Sequence, residues 1–188
     1  MIGLNLTLMH AVKLLELSEH DTNFTHILEF GVYNGHTTYQ LRNTLHPKYE
    51  VFGFDTFTGL PEDWVGTGIM KGTFNVEGKV PIQDGVKFYK GLFSDTIHLY
   101  KEIAKPIALL HVDCDLYSST KDIFDNLSDF ILPGTVIVFD EWYYNMVDIP
   151  VNRQHEQKAF YEWVTYHNRS FELYPEIERE RRIVKILK

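Results

Sequence analysis

A chain of 188 residues is long enough for one domain with a sizeable core, and 44% hydrophobic with 23% charged residues is the balance of a soluble globular protein. The net charge of −8 argues against nucleic acid, whose phosphates need Lys and Arg, and no run approaches the roughly 18 apolar residues of a membrane span. The one cysteine, Cys114, cannot close an internal disulfide, and residues 1–10 lack a signal-peptide pattern, so a cytoplasmic setting is expected.

Strand and helix signals alternate along the chain, which predicts a single α/β domain over residues 1–188, with a mainly parallel sheet and helices on both faces. Leu6, Met9, Val12, Leu14, Leu15 and Leu17 are spaced for an amphipathic helix over residues 6–17. Residues 26–32 form a short apolar strand, and 37–45 a helix stopped before Pro47. Residues 51–57 and 86–90 read as strands, and 96–104 as a helix closed by Pro106. Residues 107–112 are almost continuously apolar, as a strand buried on both faces should be. A helix over 118–131 is broken by Pro133-Gly134, a fifth strand spans 135–139, and a helix spans 152–167. Residues 171–174 and 183–187 are strands too close together for a crossover helix, so they are expected to pair antiparallel at the sheet edge. Between the second and third strands, residues 61–85 carry Gly66, Gly68, Gly72, Gly78, Gly85, Pro61 and Pro81 with little periodicity. A loop of that length is read as a lid or a substrate-contacting insertion.

Chemistry concentrates at strand ends. Ile27 to Thr38 reads strand, glycine turn, helix, with Gly31 and Gly35 allowing a tight turn and close approach of a ligand. Tyr33 stands where a full G-x-G-x-x-G would have glycine. Asp55 ends the next strand, where a carboxylate can accept both hydroxyls of an adenosine ribose. Asp113 and Asp115 follow the fourth strand, and Asp140 and Glu141 the fifth. In an open parallel sheet these ends meet at one edge, so Asp113, Asp140 and Glu141 are expected to converge. Converging buried carboxylates repel unless a cation or proton lies between them, and an all-oxygen set favours Mg²⁺ or Ca²⁺. The alternative roles are turn formation by Asp140 and helix capping by Asp115.

The histidines form no zinc pattern, and His111 is read as packed beneath the sheet edge. Cys114, between two aspartates, should have a raised thiol pKa. The run Trp142-Tyr143-Tyr144 could wall a substrate pocket. Arg179, Arg181, Arg182, Lys185 and Lys188 alternate with other residues and read as the wet face of a strand. No Gly-x-Ser-x-Gly elbow and no phosphate-binding G-x-x-x-x-G-K loop is present.

Four segments together resemble the macrocin O-methyltransferase family: Phe52-Gly-Phe-Asp-Thr-Phe-Thr-Gly-Leu-Pro61, Lys90-Gly-Leu-Phe-Ser-Asp-Thr96, Ala108-Leu-Leu-His-Val-Asp-Cys-Asp-Leu-Tyr-Ser-Ser-Thr120 and Pro133-Gly-Thr-Val-Ile-Val-Phe-Asp-Glu141. They occur in family order. The resemblance implies a Rossmann-like class I methyltransferase fold, with a mostly parallel seven-stranded sheet and an antiparallel last strand. It implies S-adenosylmethionine as methyl donor, a Mg²⁺-dependent site, and a hydroxyl on a small-molecule acceptor, often a sugar of a natural product. By position, Glu29, Gly31, Tyr33, Gly35 and Thr37 would surround the methionine part, Asp55 the ribose, and Ser94 and Asp95 the adenine. Asp113, Asp140 and Glu141 match the metal ligands. The chain has Asp140-Glu141 where many relatives have two aspartates, and His111 where they often have arginine. Leu116 stands where the catechol O-methyltransferases place a lysine.

The expected reaction is in-line methyl transfer to a metal-polarised hydroxyl, with Asp113, Asp115, Tyr117 or His155 taking the proton. A nicotinamide-dependent oxidoreductase and a non-catalytic scaffold that keeps the fold are the competing readings. A homodimer through the first helix is an expectation by fold analogy.

Overall fold

The computed structural model describes residues 4–17, 23–142 and 154–188. The elements are α1 (Leu6–Leu17), β1 (His26–Phe30), α2 (His36–Thr44), β2 (Glu50–Asp55), β3 (Val86–Lys90), α3 (Phe93–Lys101), β4 (Ile107–Val112), α4 (Tyr117–Leu127), β5 (Val136–Phe139), α5 (His155–Tyr166), β6 (Phe171–Leu173) and β7 (Arg182–Ile186). The expected start of the helix at residue 152, and Tyr143 and Tyr144, lie outside the described residues.

The seven strands form one sheet in the order β3-β2-β1-β4-β5-β7-β6. β1 to β5 pair in parallel, and β7 runs antiparallel to both β5 and β6. The two short C-terminal strands are thus antiparallel at the edge, as their tight connection requires.

Alternation along the central strands divides the core between the two faces. Leu28 and Phe30 of β1 and Leu110 and Val112 of β4 join a cluster with Ile97, Tyr100, Phe124, Phe160 and Trp163, beneath α3, α4 and α5. Ile27, Ala108, Leu109, Val136 and Val138 face the other way, against Leu8, Ala11, Val12 and Leu15 of α1 and Leu41 of α2. Every residue of β4 is buried, which accounts for its nearly unbroken apolar sequence. Each fully buried Leu or Phe contributes roughly 1.5–3 kcal/mol relative to exposure, so this double-sided core holds the sheet edge rigid.

The strand order reverses between β1 and β4, each of which pairs the other on one side and moves outward on the other. Such a switch point opens a crevice beyond the carboxyl ends of the strands. The loop between β2 and β3 folds back over that crevice. It carries two isolated bridges, Thr58 to Asn75 and Trp64 to Ile69, and packs Leu60 and Trp64 on Leu116.

Candidate active site

A cavity of about 430 Å³ fills the crevice. One wall is the turn after β1, with Gly31, Val32, Tyr33, Asn34 and Thr37, joined by Asp55 and Thr56. The adjoining wall carries Asp113, Cys114, Asp115, Ser119 and Glu141. Leu60, Pro61, Trp64, Ile69 and Phe74 of the long loop and Leu92 and Phe93 make the apolar remainder. The loop over residues 61–85 therefore contacts the cavity, in line with its expected position.

The glycine turn needs its glycine. Gly31 has φ +96°, where L side chains are strained, and its N–H donates to the Phe54 carbonyl. Asp55 braces the same turn: Oδ2 accepts from the N–H groups of Val32 (2.9 Å) and Tyr33 (2.7 Å), and Oδ1 from that of Phe57 (2.6 Å). The Thr56 hydroxyl lies 3.5 Å from Oδ1 but donates its one proton at shorter range to the Gly59 carbonyl (2.8 Å), so of the about four acceptor directions of the carboxylate one on Oδ1 stays open to a ligand hydroxyl.

Several expected cofactor contacts lie elsewhere. Glu29 is fully buried below the turn, accepting from the Thr38 hydroxyl and lying 3.1 Å from His111 Nδ1. Its side chain leaves β1 on the α1/α2 face, so it shapes the floor and does not line the cavity. Gly35 faces Pro81. Ser94 and Asp95 are exposed on the first turn of α3, and Leu92 and Phe93 take the place at the cavity wall. Two proton acceptors proposed from sequence are also displaced. The Tyr117 hydroxyl donates outward to Glu162 (2.7 Å), with Lys158 over its ring. His155 packs edge-on against Trp64, outside the lining. Asp115 caps no helix: the N-cap of α4 is Leu116, without a side-chain cap bond.

The acidic strand ends form two groups whose candidate ligand atoms lie within 4.8 Å of one another. His111, Asp113 and Asp140 make one; Asp113, Asp115 and Glu141 make the other. Asp113 is shared, so the expected trio of Asp113, Asp140 and Glu141 is divided between them. In the first group, Arg181 grips Asp140 with Nε at 2.5 Å and Nη2 at 3.0 Å, and His111 Nε2 lies 3.9 Å away. Burial raises the Asp140 pKa, but His111 and Arg181 outweigh it and bring it down to about 2. Burial lowers that of His111, yet Asp140 and Glu29 outweigh it and raise it to about 10. His111 is thus an imidazolium between carboxylates, packed beneath the edge as read from sequence. In the second group the balance is reversed. Burial, then neighbouring carboxylates, pushes Asp113 and Glu141 up and takes Asp115 to about 7.

Three functional neighbours were not foreseen. Glu156, fully buried on the first turn of α5, accepts from the N–H groups of Cys114 (3.2 Å), Asp115 (3.3 Å) and Glu141 (3.3 Å), tying both acidic loops together. Arg181 and Arg182, expected on a wet face, are instead engaged: Arg181 with Asp140, and buried Arg182 with Glu176 at 3.0 Å. Cys114 is buried with a thiol pKa raised first by burial and then by Glu156, as its setting predicted.

A seven-stranded sheet of this order, with a glycine turn at its switch point and acidic ends beside it, defines a Rossmann-like methyltransferase fold. The methyltransferase domain family model matches residues 28–142, and the chain belongs to that family. No curated protein sequence matches the chain. Among solved structures, it is similar to CalS11, a calicheamicin methyltransferase, at 23% identity and TM-score 0.68, over 94% of this chain and 76% of that one. It is similar to the O-methyltransferase NovP at 20% identity and TM-score 0.69, over 96% and 79%. An O-methyltransferase from Bacillus cereus in complex with SAH aligns over 100% and 93%, at 19% identity and TM-score 0.59. At these identities the likeness shows the fold.

Proposed function

We propose that this methyltransferase uses S-adenosylmethionine to methylate a hydroxyl of a small molecule, with help from a divalent cation. The observation that carries the reading is the single cavity that joins the glycine turn and Asp55 to Asp113, Asp115 and Glu141. Family membership favours methyl over hydride transfer, and a built acidic wall favours an enzyme over a scaffold. The resemblance to the macrocin O-methyltransferases, and the likeness to CalS11 and NovP, support a sugar or natural-product acceptor.

In this reading Gly31, Tyr33 and Thr37 border the methionine part of the cofactor, and Asp55 takes a ribose hydroxyl on Oδ1. Leu92 and Phe93 supply an apolar surface for the adenine. The donor set of Asp113, Asp115 and Glu141 fits a hard cation: its ligand atoms are carboxylate oxygens, and Glu141 Oε2 is buried without a hydrogen-bond partner. Bound there, Mg²⁺ would act as a Lewis acid on the acceptor hydroxyl. Asp113 and Asp115, the two proposed proton acceptors that line the cavity, are placed to take the hydroxyl proton. Trp64 and Ile69 exclude water above it. Holding oxygen and methyl group in line is worth roughly 7–11 kcal/mol of the barrier.

No described helix is long and apolar enough to cross a membrane. The charge of −8 suits a small acceptor, not nucleic acid, and the lone Cys114 fits a reducing, cytoplasmic setting. Exposed Leu6, Met9 and Leu17 on α1 support a homodimer there, which sedimentation would test.

Calorimetric titration with S-adenosylhomocysteine, with and without Mg²⁺, tests the cofactor. One-to-one micromolar binding that Asp55→Ala destroys is expected. Absence of binding in both conditions would remove the proposal and turn attention to nicotinamide cofactors.

A further inference from the structure

We propose that the cation sits among Asp113, Asp115 and Glu141, and that Asp140 is excluded from its coordination because Arg181 already holds it. The assignment rests on the metal-assisted reading above, and it makes this chain's ligand set different from Asp113, Asp140 and Glu141, the trio the family resemblance implies.

Charge balance decides between the two groups. Asp140 is held by the Arg181 fork through both carboxylate oxygens, with the His111 ring 3.9 Å away. A divalent ion brought to Asp140 would have to displace a bidentate guanidinium bond and would stand beside the Arg181 charge. Arg–carboxylate forks are among the stronger protein hydrogen bonds, and at such distances like charges repel strongly in a site of low dielectric.

The other group is less compensated: His111 also lies beside Asp113, the shared member, but no basic side chain is bonded to Asp115 or Glu141 among the described residues. None of the ion pairs among the described residues reaches Asp113, Asp115 or Glu141. Glu156 adds a fourth buried carboxylate next to them, but its own oxygens are used by three backbone N–H groups. Burying several like charges this close costs far more than the fold can recover unless a cation or protons intervene.

An independent observation marks the same place. Oε2 of Glu141 is buried from solvent and has no hydrogen-bond partner, and its residue lines the cavity together with Asp113 and Asp115. A buried acceptor left unpaired costs about 1–3 kcal/mol, more when charged, so it signals a missing ligand. Asp140, by contrast, is absent from the lining and has both oxygens bonded. Three carboxylates and solvent or acceptor oxygens suit a hard ion such as Mg²⁺ or Mn²⁺.

Mn²⁺ binding to the full chain, followed by loss of the free-ion electron paramagnetic resonance signal, tests the assignment without any turnover. The unsubstituted protein should bind one Mn²⁺, displaced by Mg²⁺. Asp115→Asn should weaken binding by roughly 10–100-fold or more. Asp140→Asn should leave it within about threefold. Loss of binding in Asp140→Asn overturns the assignment, as does full binding in Asp115→Asn. If Asp115→Asn fails to fold, as judged by thermal unfolding, Asp140→Asn decides alone in the same terms. A wild-type protein that binds no Mn²⁺ overturns the metal reading altogether, whereas S-adenosylhomocysteine affinity in the same preparations reports on the cofactor reading separately.

Discussion

The backbone of Gly31 lies so close to that of Asp113 that a Cβ at position 31 would stand 1.6 Å from the Asp113 carbonyl oxygen. The glycine turn and the acidic wall are therefore in direct register, and any side chain at 31 must push β1 and β4 apart. Gly31→Ala also meets an unfavourable φ of +96°. It should cost about 3 kcal/mol or more. In a protein of this size that is a fall in melting temperature of about 6–12 °C. Differential scanning calorimetry checks it, and an unchanged melting temperature would refute the close approach.

His26 gives a pH dependence away from the cavity. It is buried, with Nδ1 2.8 Å from the Tyr100 hydroxyl and Nε2 3.6 Å from Glu50, which Lys105 also holds. Burial dominates and lowers its pKa to about 4. The unfolded chain therefore takes up the proton first. The stability from a neutral His26 is complete above about pH 6.5 and is lost as pH falls toward 4, a change of about 2–3 kcal/mol. Urea unfolding of wild type and His26→Gln should show a stability difference that shrinks by that amount from pH 7 to pH 4. A difference independent of pH would mean that His26 does not titrate this way.

The Arg181–Asp140 pair should behave as a coupled unit. Arg181→Met strands a largely buried carboxylate beside His111 alone. Arg181 is itself 30% exposed, so the cost is set at about 1–3 kcal/mol, below that of a fully buried pair. Adding Asp140→Asn should recover about half of it, since the orphaned charge is gone. Additive losses in a double-mutant cycle by urea denaturation would count against the coupling.

Trp64 anchors the long loop through Leu60 and Leu116. Trp64→Ala should loosen the loop while the sheet core keeps its stability. Proteolytic nicking between residues 61 and 85 should rise about tenfold or more, the mark of roughly 1.4 kcal/mol lost locally. Equal nicking of both proteins would show that the loop is held by other contacts.

The legible parts of this molecule are those whose signals are local. The limits of α1, β3 and β4 follow from periodicity and from an unbroken apolar run. α3 begins at Phe93, not at Thr96, because polar Ser94 and Asp95 sit on its exposed side while Phe93, Thr96 and Ile97 turn inward. At the strand ends, topology alone predicts that Asp113, Asp140 and Glu141 meet, but it does not show that Asp115 joins Asp113 and Glu141 while Asp140 goes with His111. Glu156 and Arg181 were not legible. Their partners are 15 to 42 and 41 residues away in sequence, and nothing near them announces a site. Arg182 reads as a solvent residue only if β7 is an outer strand. β6 takes that position, and β7 is covered on both sides.

The direction of β7 has a chemical result. A parallel strand beside β5 would bring its last residues to the acidic edge, as the other strands do. β7 runs the opposite way, so its beginning, Arg182, pairs with Phe139, the end of β5, and the connecting segment from β6 arrives there first. The sheet edge is thus supplied with basic residues, Arg181 on Asp140 among them, from a stretch of chain separate in sequence from the glycine turn and the acidic loops. Substitutions between β6 and β7 can therefore change the charge beside the acidic strand ends while leaving the glycine turn untouched.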